Sequence, residues 1–282
     1  MSATGLVERP ALFRPGGRAL VGMLHVAALP GSPNHDGTPL AAIERIVVED
    51  ARILAEAGFH ALLIQNSGDG PPGRDGDMAT VAQLAVLGRA AADASGLPMG
   101  VNVLKNGVES ALSVAAAIGA SFVRIKVYVG AVVAAEGIVE GRAMDALAFR
   151  RRLGLDEVVI LADVHDRTSR VLGDTPLLDA ADWAARHGRA DGLVITGRSD
   201  EETRAMLREL RGSGPAVPLV IGGGGRPDNI AELLRLADGI IVGSWLRADH
   251  SFLAPVTRER AVAIVAAARL LGPPGAVSDL TI

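Results

Sequence analysis

Eight short apolar segments recur along the chain, and a longer amphipathic segment follows each of them. The apolar segments are rich in Val, Ile and Leu and alternate little, which is typical of parallel strands buried on both faces. The predicted strands are 20–25, 61–66, 99–104, 122–127, 158–164, 192–197, 218–223 and 239–244. The intervening segments have helical spacing. The predicted helices are 40–57, 78–94, 107–118, 141–153, 176–187, 200–210, 228–236 and 257–271.

Eight strand–helix units in a chain of 282 residues predict an α/β fold of the (β/α)8 TIM-barrel type. A doubly wound open sheet is the alternative, but it usually carries its glycine-rich turn after the first strand. Here the glycine-rich turns follow the last two strands, which favours the barrel. No linker divides the chain, so we expect a single domain over 1–282, with an N-terminal extension over 1–18 and a C-terminal tail over 272–282.

Composition argues against several classes of protein. The net charge is −4 and no basic run is present, so nucleic-acid binding is not expected. The chain has no cysteine, which excludes disulfides, thiolate metal sites and a Cys nucleophile. We find neither a secretory signal nor an apolar stretch long enough for a membrane helix. A cytoplasmic protein that binds no membrane is therefore predicted, and a homo-oligomer is expected for a barrel.

Two glycine turns follow the last two predicted strands, one at 222–225 and one at 243–244. Glycine lets backbone N–H groups approach an anion closely, and the N-terminus of a following helix adds partial positive charge. Two such turns on neighbouring strands predict a phosphate site, although glycine also serves the tight geometry of ordinary strand–helix loops. The predicted phosphate-binding residues are Gly223, Gly224, Gly225, Gly243 and Ser244.

Polar side chains collect at the carboxyl ends of the predicted strands, where TIM barrels carry their active sites. The candidate substrate-binding residues are His25, Asn66, Asp69, Asn102, Arg124 and Thr196. The two asparagines could hold substrate hydroxyls or a carbonyl, or they could cap loops. Asp69 lies in a glycine-rich loop, where an Asx turn is the alternative to a direct role.

Asp163 and His165 are the predicted acid/base pair. At positions i and i+2 of one strand, both side chains point to the same face. A carboxylate beside an imidazole raises its basicity and fixes its tautomer. The pair could transfer protons, bind a metal together with a residue such as His25, or simply hold the strand end. No cofactor is predicted, and a divalent metal is left open.

Arg124 and Lys126 share one face of a predicted strand by the same parity. Buried cations need anionic partners, and Asp163 on the neighbouring strand is the candidate. As an alternative, Lys126 could form a Schiff base with a carbonyl substrate.

Two long segments, 67–77 and 128–140, are predicted as active-site loops. The second could deliver Glu136 or Glu140 into the site, and Glu140 is a candidate catalytic residue. Alternatively, Glu140 favours the N-terminus of the following helix through its negative charge.

Several short motifs occur in a characteristic order along the chain. They include VGMLHVAALPGSP (21–33), LPMGVNVLKN (97–106), EGIVEGRAMD (136–145), LADVH (161–165), GGGGRPDNI (222–230) and ADGIIVGS (237–244). These motifs, in this order, resemble the BtpA/SgcQ family, which is named for a protein linked to photosystem I biogenesis. The resemblance runs from about residue 18 to 260 and implies a phosphate-binding TIM barrel of the ribulose-phosphate-binding type. Some members of the family look like enzymes of sugar or nucleoside metabolism.

The chain departs from the family pattern at several positions near the predicted barrel mouth. The family usually has Glu at the position of Gln65, Asn at that of Lys126 and His at that of Tyr128. It has Val-Lys-His where this chain has Asp-Arg-Thr at 166–168. These departures imply a retained scaffold whose site chemistry is specialised or lost.

The sequence therefore predicts an enzyme acting on a phosphorylated sugar or nucleotide-like small molecule. Asp163 and His165 would do the acid/base work, while Lys126 would stabilise developing charge. The reaction would cleave or form a glycosidic C–N bond, or isomerise the sugar. The alternatives are an aldol-type lyase using Lys126, and a non-catalytic assembly or stabilising factor that binds a phosphometabolite or a protein partner.

Overall fold

The structure, a computed structural model, describes residues 12–73, 75–248 and 253–271. The strands in this part of the chain are β1 (Ala19–His25), β2 (Ala61–Gln65), β3 (Met99–Asn102), β4 (Phe122–Ile125), β5 (Ala131–Ala134), β6 (Gly137–Glu140), β7 (Val159–Val164), β8 (Arg170–Val171), β9 (Gly192–Ile195), β10 (Leu219–Ile221) and β11 (Gly239–Val242). The helices are α1 (Leu40–Ala57), α2 (Met78–Ser95), α3 (Val108–Ile118), α4 (Ala143–Arg152), α5 (Leu177–Asp182), α6 (Asp200–Ser213), α7 (Ile230–Leu236) and α8 (Arg258–Arg269).

Eight of these strands close into a parallel barrel in the order β1-β11-β10-β9-β7-β4-β3-β2. A helix follows each barrel strand along the chain, so the predicted TIM barrel is confirmed. Each barrel strand is buried along nearly its whole length, as its continuous apolar sequence predicted. Among the described residues, no helix combines the length and apolar character needed to cross a bilayer.

Large side chains fill the amino-terminal end of the barrel. Phe122, the first residue of β4, is fully buried there, and its ring contacts Phe13 edge to face at a centroid distance of 5.1 Å. Gly100 of β3 leaves room for the Phe122 ring, because a Cβ at that position would lie 2.1 Å from it. Of the predicted extension, residues 12–18 are described, while the predicted tail 272–282 lies outside the described residues.

A small antiparallel sheet, in the order β6-β5-β8, lies outside the barrel. It replaces most of the long loop predicted over 128–140, because β5 and β6 form a hairpin with Val132 opposite Val139. These two valines are buried with Val127, whereas Val133 and Ile138 on the other face are exposed. The hairpin therefore has its own apolar contact with the barrel rim and joins the loops after β4 and β7.

Candidate functional site

A cavity of about 400 Å³ opens at the carboxyl ends of the barrel strands. Its volume falls within the range of small-molecule sites. It therefore lies on the face where sequence reasoning expected a site. Nine of the predicted site residues line it: His25, Asp69, Arg124, Lys126, Thr196, Gly223, Gly224, Gly243 and Ser244.

The turn at 222–225 follows β10 and lines the cavity with its first three glycines. No side chain fits at Gly222, where a Cβ would lie 2.2 Å from Thr196 Oγ1 and 2.7 Å from Arg124 Nη2. Gly224 has a left-handed φ of +86°. Gly225 was also predicted to bind phosphate, but it does not line the cavity and packs against Ile240 instead. The backbone of Gly222 to Gly224 therefore forms this wall.

The second turn, at 243–244, adjoins the first because β10 and β11 pair in parallel. A Cβ at Gly243 would lie 2.9 Å from His25 Cε1, so the imidazole of His25 packs against this turn. Ser244 is exposed at the start of a 3₁₀ turn, Ser244–Leu246. The two glycine turns and His25 thus form one continuous part of the cavity wall.

A buried ionic cluster lies beside the cavity. Arg124 Nε and Nη2 donate to the two oxygens of Asp163 at 2.7 and 2.8 Å, and Lys126 Nζ donates to Asp163 at 2.9 Å. The predicted ion pairing is confirmed. Burial opposes the charge of Arg124, but the attraction of Asp163 outweighs it and raises the Arg124 pKa. With three donors, Asp163 serves to hold these two cations in place.

The cluster extends through residues that sequence reasoning did not choose as site residues. Lys126 Nζ also donates to Asp166 at 2.8 Å, and the Thr168 hydroxyl donates to the other oxygen of Asp166. Lys105 Nζ in turn donates to Thr168 at 3.0 Å. The sequence did contain a signal for these residues, namely the departure from the family pattern at 166–168. That departure introduces Asp166, whose carboxylate balances the charge of Lys126.

Asp166 is expected to make stability depend on pH. Burial raises its pKa, but Lys126 and Thr168 outweigh burial and lower the pKa from 3.8 to about 2. A lowered carboxyl pKa stabilises the folded state above pH 3.8, and this stabilisation is lost as the pH falls towards 2. The contribution is roughly 2 kcal/mol.

In the wild type, the free energy of unfolding should therefore lose this contribution of roughly 2 kcal/mol as the pH falls from 3.8 towards 2. In Asp166→Asn this part of the pH dependence should be absent. Urea denaturation of both proteins at several pH values measures the difference. Equal pH dependence in the variant and the wild type would contradict the assignment.

The predicted same-face pair of Asp163 and His165 is not formed. Strand β7 ends at Val164, and His165 adopts a left-handed φ of +51°, so the alternation of a strand does not continue through it. Neither residue lines the main cavity. Burial lowers the pKa of His165, and its Nε2 has no hydrogen-bond partner. His165 instead lines two smaller cavities behind the loop after β7.

Asn66 and Asp69 link the loops at the barrel mouth. Asn66 Nδ2 donates to Asp69 at 3.0 Å, and its Oδ1 accepts from the Leu104 N–H at 2.8 Å. The other Asp69 oxygen accepts from the Leu29 N–H at 2.8 Å. Of the two, only Asp69 lines the cavity. These contacts correspond to the loop-capping alternative for Asn66.

Asn102 and Thr196 each retain an unpaired oxygen. Asn102 lies off the cavity and donates through Nδ2 to the Arg124 carbonyl at 2.8 Å, while its Oδ1 has no partner. Thr196 lines the cavity, and its buried Oγ1 likewise has no partner.

The β5–β6 hairpin brings Glu136, and not Glu140, to the cavity. Glu136 lies in the turn of the hairpin, and its buried Oε2 has no hydrogen-bond partner, with Lys105 Nζ 3.9 Å away. Glu140, the last residue of β6, is exposed and does not line the cavity. Its main-chain oxygen accepts a hydrogen bond from Asn106 Nδ2. Glu136 is therefore the acidic residue that this loop contributes to the cavity.

No group of three His, Asp or Glu side chains is arranged to hold a metal ion within the described ranges. The divalent metal that the sequence left open thus has no ready set of protein ligands in this part of the chain. The polar atoms that line the cavity belong instead to the two glycine turns and to the ionic cluster.

Comparison with known proteins identifies the family. Residues 17–270 match the BtpA family. This chain belongs to the BtpA family. Among its relatives, an uncharacterised protein of Thermococcus kodakarensis is 38% identical and covers 90% of this chain and 96% of its own length. The photosystem I biogenesis protein BtpA of Synechocystis is 33% identical over 81% of this chain and 80% of its own length.

Solved structures share the fold of this BtpA family member. N-(5'-phosphoribosyl)anthranilate isomerase from Pyrococcus furiosus superposes with a TM-score of 0.54 at 11% identity. The match covers 90% of this chain and 99% of the isomerase. At that identity the likeness concerns the barrel fold alone.

Proposed function

We propose that this protein is an enzyme that binds a phosphorylated sugar or nucleotide-like small molecule in the 400 Å³ cavity. Its phosphate would lie on the backbone of Gly223 and Gly224 and on Gly243 and Ser244, because the N–H of Gly222 already donates to the Ile195 carbonyl at 3.1 Å. The observation that carries the proposal is the meeting of these two glycine turns in one wall of a cavity that also holds ionisable side chains. Backbone N–H groups in such turns are suited to anions.

Arg167 supports an anionic ligand at this wall. Its Nη2 lies 3.5 Å from the position that a Cβ on Gly223 would take. Three other cations near the first turn, Arg124, Lys126 and Arg226, are already balanced by Asp163, Asp166 and Asp200. The Arg167 guanidinium is thus the charge that a phosphate on the first turn would meet, and arginine suits the bidentate recognition of phosphate.

We assign the acid/base work to Glu136 and His25. Asp163 accepts from three cationic donors, which leaves it poorly placed to exchange protons with a substrate. Glu136 and His25 both line the cavity, and Glu136 has an oxygen without a hydrogen-bond donor. A carboxyl group and an imidazole at one cavity suit isomerisation of a sugar or cleavage of a C–N glycosidic bond.

The isomerase with the same fold carries phosphoribosyl in its name, which is consistent with this substrate class. A Schiff-base lyase using Lys126 ranks lower on physical grounds. Lys126 Nζ is held by hydrogen bonds to two carboxylates at 2.8 and 2.9 Å, whereas imine formation requires an amine that is free to attack a carbonyl.

The test uses Glu136→Gln with Glu140→Gln as the matched control from the same hairpin. We expect Glu136→Gln to lower turnover by about 10²- to 10⁴-fold while substrate binding is retained. Turnover is followed by ¹H and ³¹P NMR with ribose 5-phosphate and purine 5′-mononucleotides, and binding by calorimetry. Full activity in Glu136→Gln would remove Glu136 from the mechanism. No binding of any phosphorylated compound to the wild type would overturn the proposed function.

A second candidate is a binding factor without turnover, and the Synechocystis relative is named for a role in photosystem I biogenesis. The outer face of the small sheet favours it, because Val133, Ile138 and Leu172 are 43%, 53% and 51% exposed. Apolar surface grouped in this way marks some protein interaction sites. If phosphate compounds bind with no turnover, and replacement of Ile138 by Ser abolishes the biological role, this candidate replaces the enzyme.

A further inference from the structure

A second cavity, of about 140 Å³, adjoins the main one between the loops that follow β7 and β9. The two cavities share three lining residues, Asp166, Arg167 and Thr196. The glycine turns and the acid/base residues assigned above do not line this second cavity. It therefore adds space that a ligand held on the glycine turns can reach past Arg167 and Thr196.

Positive charge is incompletely balanced in this second cavity. Neither Arg167 nor Arg198 makes a side-chain hydrogen bond or an ion pair with any residue of the described ranges. Two carboxylates also line the cavity. Asp166 is balanced by Lys126, and Glu202 accepts a hydrogen bond from the Arg198 backbone N–H. Among the described residues, the second cavity is thus lined by two guanidinium groups that have no carboxylate partner, and by only one carboxylate, that of Glu202, that has no cationic partner.

One buried hydroxyl at the second cavity lacks a partner. Thr196 lines both cavities and is 3% exposed, and its buried Oγ1 has no hydrogen-bond partner. A buried polar group left without a partner is disfavoured. A ligand oxygen would accept a hydrogen bond from this hydroxyl, as it would from the guanidinium groups. This second observation is independent of the arginines and points to the same kind of ligand.

We propose that the second cavity holds a second anionic group of the substrate, so that the natural ligand is a sugar phosphate with a further phosphate or carboxylate. Arg167 lies between the two anions, beside Gly223 and within both cavities. Arg198 contacts the second group, while the Thr196 hydroxyl lies beside Gly222 where the two cavities join. This inference rests on the proposed function, because it takes the first phosphate to lie on the glycine turns.

The experiment compares matched mono- and bisphosphates by calorimetry in buffer containing EDTA. The probes are fructose 6-phosphate with fructose 1,6-bisphosphate, and ribulose 5-phosphate with ribulose 1,5-bisphosphate. We expect at least one bisphosphate to bind the wild type about 10-fold or more tightly than its monophosphate, as expected for an added charge-assisted contact.

Variants distinguish binding in the second cavity from a general effect of the protein's positive charge on anion affinity. Arg198 lines only the second cavity, and Arg198→Gln is expected to reduce that ratio to roughly 2-fold or less. Arg208→Gln is the matched control, since Arg208 is exposed on α6 outside both cavities, and it should leave the ratio unchanged.

Equal affinity for mono- and bisphosphates in the wild type, or an unchanged ratio in Arg198→Gln, would overturn the second anion site alone. Binding of neither class would overturn both this inference and the proposed function.

Discussion

Replacing Asp163 with Asn is expected to lower the free energy of unfolding by about 3–5 kcal/mol. Asp163 is the shared anion of Arg124 and Lys126, and its side chain is 1% exposed. The neutral variant leaves both cations buried with only Asp166 to balance them, and an uncompensated buried charge is strongly destabilising. Urea denaturation at pH 7 measures the change.

Asp145→Asn is the matched control for this experiment. Asp145 pairs with Arg142 on the surface, where its side chain is 49% exposed. Exposed pairs contribute at most about 1 kcal/mol, so the control should remain close to wild type. If Asp163→Asn lost no more stability than this control, the ionic cluster would not hold the barrel mouth together.

Replacing Gly222 with Ala is expected to weaken phosphate binding by about 100-fold or more, which corresponds to about 2.7 kcal/mol. The added methyl group would lie 2.2 Å from Thr196 Oγ1, 2.7 Å from Arg124 Nη2 and 2.8 Å from Val194 Cγ1. Relief of these contacts must move the turn or the buried arginine, and either movement disturbs the backbone N–H groups offered to the phosphate. Calorimetry with ribose 5-phosphate gives the affinity.

Gly212→Ala provides the control for this substitution. Gly212 lies in α6, and a Cβ there would have no neighbour within 4 Å. The same chemical change should therefore leave phosphate binding intact. An affinity for ribose 5-phosphate in Gly222→Ala that equals that of Gly212→Ala would place the phosphate elsewhere.

The barrel could be predicted from the sequence because its strands are encoded locally. A strand buried on both faces must be continuously apolar, so segments such as 239–244 mark the strand Gly239–Val242 to within two residues. The same local rule also located the glycine turns, since each directly follows such a strand. The pairing of Asp163 with Arg124 followed from the adjacency of β4 and β7 in the barrel.

The contents of the cavity were less predictable, because they depend on where strands end. The i, i+2 rule placed His165 beside Asp163, but it holds only while the chain stays extended, and the φ of +51° at His165 ends that regularity. Similarly, the four-residue strands of the hairpin are too short to show a clear alternation of apolar and polar residues, so the segment 128–140 was predicted as a loop. Glu136 rather than Glu140 reaches the cavity because the hairpin turn, and not its end, lies over the mouth.

The small sheet makes the loops after β4 and β7 a single module. Strand β5 pairs with β6 of its own loop and with β8 of the other, so the segment carrying Glu136 is bonded to the segment that follows Asp166. Exchange of one loop alone, in a chimaera with another barrel, would remove the pairing between β5 and β8. Substrate preference in this scaffold should therefore be transferred by grafting both loops together, and single-loop grafts should lose the geometry of the cavity.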